Sequence, residues 1–350
     1  MPASPPPPLL WLLLAACALG LALFWWRHIG GRRMRRRRGL AQRLRAAESA
    51  HGSPGPDWEA RLRAAMEPLP APQRARYARP WMLCLGDPAA DLAQLLATAQ
   101  SAGPLPATDT DTFWRWWSMQ GMVAIEICPP PLVAPAAPQD AAWLHALRAL
   151  ARERPRLPLH GVVLCVAAST LRTDPAVLDG LLELMARRTC DAARLLRLRL
   201  PVHIVVTGLH RLDGFDAVRR ALPDAALDRA LGCRLPPQAG ALPQEAQALD
   251  ALFAAAFEPI EEGLHALRLG LLPQAQDAGA RQGIHLFVQE IATLQPGLRA
   301  LLRHLSRPEA QGHVFWRGLY LCNAAPQAAF VDDLMAGFLP ADQPLARNAD

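Results

Sequence analysis

The sequence predicts an α/β fold, with a mainly parallel β-sheet that has helices on both faces. From about residue 79 onwards, short apolar runs alternate with helical patterns. Several runs are continuously apolar, which is typical of parallel strands buried on both faces. The predicted strands are 81–86, 121–128, 161–168, 202–207, 284–291 and 315–322, and the predicted helices are 139–153, 175–198, 244–270 and 294–305.

Composition shifts along the chain divide it into six predicted segments. Only the first two lie outside the cytoplasm or within a membrane, and the helical pattern near 244–270 indicates a helical subdomain. The segments are an N-terminus outside the cytoplasm at 1–8, a transmembrane anchor at 9–26, a basic juxtamembrane and helical connector at 27–78, the α/β domain at 79–235, a helical extension with closing strands at 236–340, and a flexible tail at 341–350.

The charge of the chain is concentrated at one end. All 37 basic side chains are arginines, and nine of them precede residue 46, where there is no Asp or Glu. The remaining 28 arginines face 31 acids, so the body of the protein is mildly acidic. This balance does not indicate a nucleic-acid-binding face.

Cysteines and histidines suggest neither a disulfide framework nor a metal site. The seven cysteines are odd in number, widely spaced and without a CxxC pair, which is typical of buried thiols in a reducing compartment. His160, Cys165, His203 and His210 match no zinc-binding spacing, so we expect ordinary core or surface side chains at these positions.

Residues 9–26 form an uninterrupted apolar segment of 18 residues without a charge or a proline. As a helix it would span roughly 27 Å, close to the thickness of a hydrocarbon core of about 30 Å. Trp25 and Trp26 stand at its end, where indole rings favour the membrane interface. No basic residue precedes the segment and no small-residue cleavage motif follows it, so we predict an uncleaved anchor rather than a signal peptide.

An arginine run follows the predicted anchor directly. The positive-inside rule then places the N-terminus in the periplasm and the main domain in the cytoplasm of a single-pass inner-membrane protein. Nucleic-acid binding would need aromatic residues among the charges, and there are none. We therefore expect these arginines to contact lipid headgroups. They are Arg32, Arg33, Arg35, Arg36, Arg37 and Arg38.

The first predicted strand, 81–86, leads into a loop and helix laid out like a phosphate-binding loop. In the pattern G-x-x-x-x-G-K-[ST], backbone amides cradle phosphates, the lysine contacts the β- and γ-phosphates, and the hydroxyl binds magnesium. Counting from Gly86, the second glycine is replaced by Asp91, the lysine by Leu92 and the hydroxyl by Ala93. Because the chain has no lysine, no displaced lysine can substitute. The pattern therefore predicts the shape of a phosphate loop without its chemistry.

Two smaller features leave alternatives open or are set aside. The aromatic group Phe113 to Trp117 is either a partner-binding hot spot or part of the core, with Trp116 and Trp117 favoured as core residues. Ser169 has no glycine elbow around it, so a hydrolase nucleophile is not indicated.

Five motifs in order resemble the cytoplasmic portion of the IcmF/TssM family, the large inner-membrane component of type VI secretion systems. The resemblance runs from the anchor to about residue 338 and implies a phosphate-loop (P-loop) NTPase-like domain with a helical extension. The motifs are “RPWMLCLG”, “FWRWWSMQGMVAIEIC”, “RPRLPLHGVVLCVAASTL”, “LPVHIVVTGLHRLDGF” and “HLFVQEIATLQPGLRALLRHLSRP…VFWRGLYLCNA”.

Three functional motifs implied by this resemblance have degenerated. Family members often read GPPGSGKT where this chain reads GDPAADLA, Gly86 to Ala93. The family's acidic strand motif keeps a carboxylate at Glu126, but Pro129 replaces the backbone N–H that would sense a γ-phosphate. The base-reading motif T-K-x-D is represented by Thr207 and His210, without its lysine or carboxylate. We therefore predict no cofactor, no metal and no catalytic residue.

Taken together, the sequence predicts a non-enzymatic scaffold or accessory subunit of a type VI secretion system. A pseudo-NTPase domain would be presented to other membrane-complex or baseplate proteins. Two alternatives remain open: a nucleotide-responsive membrane switch that uses arginine in a non-standard site, and a truncated non-functional paralogue. Family members are typically much longer, with further membrane spans and a large periplasmic region, so the family's periplasmic contacts are not expected here.

Overall fold

A computed structural model describes residues 15–21, 24, 39, 42, 77–99, 114–127, 137–237, 241–308 and 312–349. Of the predicted anchor, residues 15–21 and 24 are helical, and the rest lies outside the described residues, as do Arg32 to Arg38 and most of the connector. Among the helices in the described part of the chain, none has the length and apolar character needed to cross a membrane. The anchor therefore stays a prediction.

The centre of the protein is a sheet with the strand order β2-β3-β1-β4-β5-β7-β6. The five strands from β3 to β7 in this order pair in parallel, while β2 and β6 pair antiparallel at the two edges and β8 pairs antiparallel with β5. The strands are β1 (Trp81–Gly86), β2 (Trp114–Ser118), β3 (Val123–Ile127), β4 (Gly161–Ala167), β5 (Leu198–Thr207), β6 (Leu231–Arg234), β7 (Val314–Leu321) and β8 (Arg347–Asn348).

The central strands are buried on both faces. Every residue of β1, β3, β4 and β7 is buried. Since successive side chains along a strand point to opposite faces, other structure must cover both sides of the sheet. The predicted α/β class with a mainly parallel sheet is confirmed.

Helices occupy most of the chain between the strands. They are α1 (Leu92–Thr98), α2 (Ala137–Glu153), α3 (Pro175–Leu196), α4 (Phe215–Ala221), α5 (Asp224–Leu227), α6 (Ala246–Leu271), α7 (Ala278–Ala292), α8 (Gln295–Leu305) and α9 (Leu339–Ala341). A π-helical turn at Leu334–Phe338 leads into α9.

The predicted strand at 284–291 is wrong, because these residues belong to α7. The buried residues of this helix are Ile284, Phe287, Val288 and Ile291, which follow the i, i+3, i+4, i+7 spacing of a helix face. The run looked like a strand because it is short and apolar, and such runs are compatible with either structure.

The segment predicted as a helical extension contributes both helices and a central strand. β7 lies in the sheet between β5 and β6. Phe253 of α6 stacks on Trp316 of β7, with ring centroids 6.3 Å apart. Helices α4 and α7 approach closely at Gly214, where an added Cβ would lie 1.9 Å from the Gly283 carbonyl oxygen. Burial of the Phe253 and Trp316 rings holds α6 to the sheet.

At the β2 edge, two tryptophans of the aromatic group are part of the core, while Phe113 and the side chain of Trp114 lie outside the described part of the protein. Trp116 and Trp117 are buried. The Trp116 ring meets Trp81 of β1 edge to face, with centroids 4.9 Å apart. The interpretation of Trp116 and Trp117 as core residues is therefore confirmed.

Candidate functional site

The candidate site is the loop that joins β1 to α1, at the carboxyl ends of the central strands. Gly86 ends β1, and α1 begins at Leu92 after a five-residue loop. Asp91 immediately precedes the helix in the left-handed conformation, with φ 47° and ψ 51°. An added Cβ at Gly86 would lie 3.1 Å from Cβ of Leu92, which shows how closely the first turn of α1 folds back over the strand end. The strand, glycine, turn and helix are thus arranged as the pattern predicts.

Asp87, the first residue of this loop, is 2% exposed, and its side chain turns inward. Its Oδ1 accepts hydrogen bonds from the Ala89 N–H at 2.7 Å and from the Thr170 hydroxyl at 3.0 Å. Its Oδ2 accepts a hydrogen bond of 2.6 Å from the N–H of Ala167, the last residue of β4. The carboxylate therefore ties the loop after β1 to the end of β4.

The end of β5 is bound to the same loop. The Thr207 hydroxyl donates to the Ala90 carbonyl oxygen at 2.9 Å. The Thr207 carbonyl in turn accepts a hydrogen bond from the Ala168 N–H at 2.9 Å. The structure thus brings Gly86, the loop and Thr207 together. One set of hydrogen bonds joins the carboxyl ends of β1, β4 and β5.

His210 does not join this group, although it was predicted with Thr207 as one motif. Its backbone N–H and its Nδ1 contact the Asn323 side-chain oxygen at 3.1 and 2.7 Å. The amide nitrogen of Asn323 donates to the carbonyl oxygens of Ala324 and Gln327. An amide oxygen can only accept, so Nδ1 carries the hydrogen in this contact. His210 therefore anchors the segment after β7.

Glu126 on β3 is buried, with 3% of its surface exposed. The Trp117 indole N–H donates to its Oε2 at 2.8 Å, and an Arg115 nitrogen lies 3.8 Å from the same oxygen. Burial raises the pKa of the carboxyl, the Trp117 hydrogen bond and the charge of Arg115 lower it, and the charge of Asp91 raises it. The edge strand β2 thus holds the Glu126 side chain, and the charge of Asp91 in the loop affects its pKa.

The electrostatics of the loop disfavour an anionic ligand. Asp87, Asp91 and Glu126 contribute carboxyl groups around the β1 and β3 ends. Of the arginines near these strand ends, Arg115 faces Glu126 and Arg211 donates to the Ser169 hydroxyl at 3.1 Å. Two like unit charges at 4 Å repel by about 4 kcal/mol at an effective dielectric of 20. A phosphate would meet this repulsion without a lysine to offset it.

Histidines and cysteines do not converge on a metal site in the part of the chain that the structure describes. His160 Nδ1 accepts a hydrogen bond from the Trp81 N–H at 3.2 Å. His203 lies 3.5 Å from an Asp342 oxygen and stacks on Tyr320. The side chain of Cys165 is fully buried, and burial raises its thiol pKa.

Asp87 and Thr170 were not predicted from the sequence as residues of this site. The positions predicted in this loop were Asp91, Leu92 and Ala93, because these replace the glycine, lysine and hydroxyl of a working phosphate loop. One local signal was available for Asp87. An aspartate at a strand end that is followed by proline favours a turn in which its side chain accepts the N–H two residues on, as it does from Ala89.

Comparisons with known proteins give one family and one curated relative of interest. The family model described as IcmF-related N-terminal domain matches residues 136–348, after the loop at the β1 end. The type VI secretion system component TssM1 of Pseudomonas aeruginosa is 23% identical over 276 residues, covering 75% of this chain and 25% of that protein. The chain therefore spans about a quarter of the length of this relative. No solved structure matches the chain.

Proposed function

Because the chain belongs to the family of the IcmF-related N-terminal domain, we propose that it is a non-enzymatic component of a type VI secretion system. The system is that of TssM1, the relative to which three quarters of the chain is similar. In this proposal the α/β domain descends from a P-loop NTPase and has kept its architecture without turning over nucleotides.

The observation that carries the non-enzymatic proposal is the closed loop after β1. The Asp87 side chain turns inward and is satisfied by donors of the loop and the β4 end. A nucleotide would have to displace these hydrogen bonds and accept the charge of Asp91 nearby. A phosphate could accept from these donors, but the buried Asp87 carboxylate would then lose its hydrogen bonds. An unsatisfied buried polar group costs about 1–3 kcal/mol, and a charged one costs more, so binding would begin with a penalty.

In this proposal the protein acts as a scaffold or accessory subunit at the inner membrane. Residues 9–26 would anchor it, with the N-terminus in the periplasm and the α/β domain in the cytoplasm. The domain would present its surface to other membrane-complex or baseplate proteins of the secretion system. The support for this placement is the similarity to TssM1 together with the charge asymmetry around the apolar segment.

Isothermal titration of the full chain in detergent with ATP and with GTP, each with Mg²⁺, tests the non-enzymatic proposal. We expect no saturable binding tighter than about 1 mM. Micromolar binding that disappears in a Glu126→Ala variant would contradict it and favour the nucleotide-responsive switch. The matched control is Glu262→Ala, an exposed glutamate on α6.

Pull-down of the detergent-solubilised protein from cells that express the secretion system tests the scaffold proposal. We expect recovery of secretion subunits that survives washing and is reduced when residues 1–26 are deleted. If no secretion subunit is recovered, the result would support the hypothesis that the chain is a truncated non-functional paralogue. Accessibility of an engineered tag at residue 2 from the periplasm tests the orientation in the same strain.

A further inference from the structure

A cavity of about 420 Å³ lies between helices α2, α3 and α8, away from the loop after β1. Its volume falls within the range of about 300–1,000 Å³ typical of ligand sites. The apolar part of its wall comes from Trp143, Leu144, Ala186 and Leu195. Apart from Cys190, the remaining lining residues are arginines, acids and one histidine, so the cavity combines an apolar surface with a charged one.

The guanidinium of Arg188 on α3 lines this cavity and is almost entirely buried, with 2% of its side chain exposed. One of its terminal nitrogens forms an ion pair of 2.7 Å with Oδ1 of Asp140 on α2. Its carbon lies 5.6 Å from the Trp143 ring centroid. Among the described residues, no hydrogen-bond acceptor reaches its Nε. A buried donor without an acceptor is costly, so this nitrogen indicates a missing partner.

Charge around Asp140 is unbalanced. Arg187, which is 47% exposed, also pairs with Oδ1 of Asp140, at 3.4 Å. Two guanidinium groups therefore share one carboxylate, which leaves one positive charge in excess at the mouth of the cavity. A single carboxylate from outside would restore the balance.

The two other arginines that line the cavity are each paired with an acid that also lines it. These pairs neither add to the excess charge nor cancel it. They are Arg194–Asp191 at 2.9 Å and Arg307–Glu183 at 2.5 Å, while His304 Nε2 lies 2.7 Å from an oxygen of Asp179, which is outside the cavity wall.

We propose that this cavity receives one acidic side chain of a partner protein, an aspartate or glutamate flanked by apolar residues. Its carboxylate pairs with Arg188 and Arg187, and an adjacent apolar side chain packs on Trp143 and Leu195. Charge-assisted hydrogen bonds to a guanidinium are strong, and interface hot spots are enriched in arginine and tryptophan. One excess charge is too little for a nucleic acid or a membrane surface.

A polypeptide suits the mouth of the cavity better than a small free carboxylate. Arg187, Arg194 and Arg307 are about half exposed around it. They form a polar rim around an apolar centre, which is the layout of a protein interface. The choice of a secretion subunit as the partner rests on the proposed function.

Binding of the full chain to an array of 15-residue peptides tests the proposal. One arm of the array tiles the cytoplasmic segments of the secretion subunits encoded with this protein, each with a copy in which Asp and Glu are replaced by Asn and Gln. A second arm holds unrelated peptides with one glutamate between leucines. Affinities of the bound peptides are then measured by fluorescence polarisation.

Two substitutions are expected to act in opposite directions. Arg187→Gln removes the excess charge from an exposed position and should weaken binding about threefold to fivefold. Asp140→Asn leaves both arginines without their carboxylate and should strengthen binding by a similar factor. The control Arg220→Gln lies on α4, which does not line the cavity, and should change affinity by less than twofold. Thermal unfolding of each variant confirms that it is folded.

Each outcome separates the two proposals. Binding in either arm that needs the acidic residue and shifts oppositely in the two variants supports the cavity. If only the unrelated peptides bind in this way, the proposal that the cavity receives an acidic side chain is supported. The proposal that its partner is a secretion subunit is then overturned. If no peptide binds, or if binding ignores both substitutions, the cavity proposal is overturned. The same is true if free N-acetylglutamate shows the charge dependence and peptides do not, because the occupant is then a small molecule.

Discussion

Asp87 and Asp342 are equally buried, each 2% exposed, yet the protein stabilises their carboxylates with different kinds of partner. Asp87 is held by two backbone N–H groups and one hydroxyl, all of them uncharged donors. Asp342 is held by two guanidinium groups and faces a histidine. The first carboxylate closes a loop at the centre of the sheet, and the second fastens the C-terminal segment to it.

The Asp342 cluster joins three strands to the segment after β7. Arg317 of β7 donates its Nε to both Asp342 oxygens at 3.0 Å. Arg234 of β6 pairs with Oδ1, and His203 of β5 lies 3.5 Å from Oδ2. The Tyr320 ring stacks on His203 and meets Phe338 edge to face. This segment is therefore fixed by charge as well as by aromatic packing.

The difference between the two aspartates predicts how each region responds to substitution and pH. Removing a carboxylate that faces arginines leaves buried charges without compensation. Removing one that faces backbone N–H groups leaves neutral donors without an acceptor, which costs less. A titratable histidine also lies beside Asp342 and not beside Asp87, so acid should weaken the C-terminal cluster first.

Asp342→Ala should give the largest loss of stability. Arg317 is 8% exposed and would keep its charge without its partner, which typically costs about 3–5 kcal/mol. Urea unfolding of the full chain, followed by tryptophan fluorescence, measures the loss. The control is Asp332→Ala, at an exposed position in the same segment. A loss below about 1 kcal/mol would show that the cluster does not fasten the segment.

His203→Phe should reduce the loss of stability in acid. Burial lowers the pKa of His203 to about 4, with Asp342 opposing and Arg317 and Arg234 adding to the effect. Its ordinary value is about 6.5, so between pH 6.5 and 4 the unfolded chain binds more protons and stability falls as pH falls. The share of this histidine approaches about 1.4 kcal/mol for each pH unit within that window.

Unfolding midpoints at pH 7, 6 and 5 measure this effect. The variant should lose less stability than the wild type between pH 7 and 5, and the two should converge in slope above pH 7. His160, whose pKa burial and Arg154 lower to about 3, titrates in both proteins and serves as the internal reference. Identical pH profiles would mean that His203 is not shielded from protons as its burial requires.

The sequence predicted those parts of the fold that burial writes into local patterns. Strands buried on both faces became continuous apolar runs, as in β1 and β4. The same rule failed for α7, since a buried helix face also produces a short apolar run. It missed β6 because Leu231–Arg234 is a short, partly exposed edge strand without an apolar run. A short apolar run therefore shows reliably that a segment is buried, but it does not distinguish a strand from one face of a helix.

The candidate site was predictable in outline but not in its contacts. The glycine at the end of β1 and the helix after the loop were visible in the pattern. The acceptor role of Asp87 was not, because its donors at Ala167 and Thr170 lie 80 and 83 residues away. One of these donors is a backbone N–H, which almost every residue has, so no residue type marks it. The contact between His210 and Asn323 was not predictable for the same reason, since these residues are 113 positions apart in the sequence.

Asp87→Asn should lower stability by about 1–3 kcal/mol, less than Asp342→Ala. Both carboxylate oxygens accept N–H groups, from Ala89 and from Ala167. An asparagine has one oxygen and one NH₂ group, so whichever way it turns, a donor faces a donor.

The matched control for this substitution is Asp91→Asn, in the same loop. Asp91 is exposed, its side chain makes no capping hydrogen bond, and asparagine tolerates the left-handed backbone that it adopts. Its stability should therefore change by less than about 0.5 kcal/mol. Urea unfolding of both variants separates a carboxylate that closes the loop from one that only adds charge to it. If the two midpoints shift equally, Asp87 does not close the loop, and the loop's aversion to phosphate rests on Asp91, Leu92 and Ala93 alone.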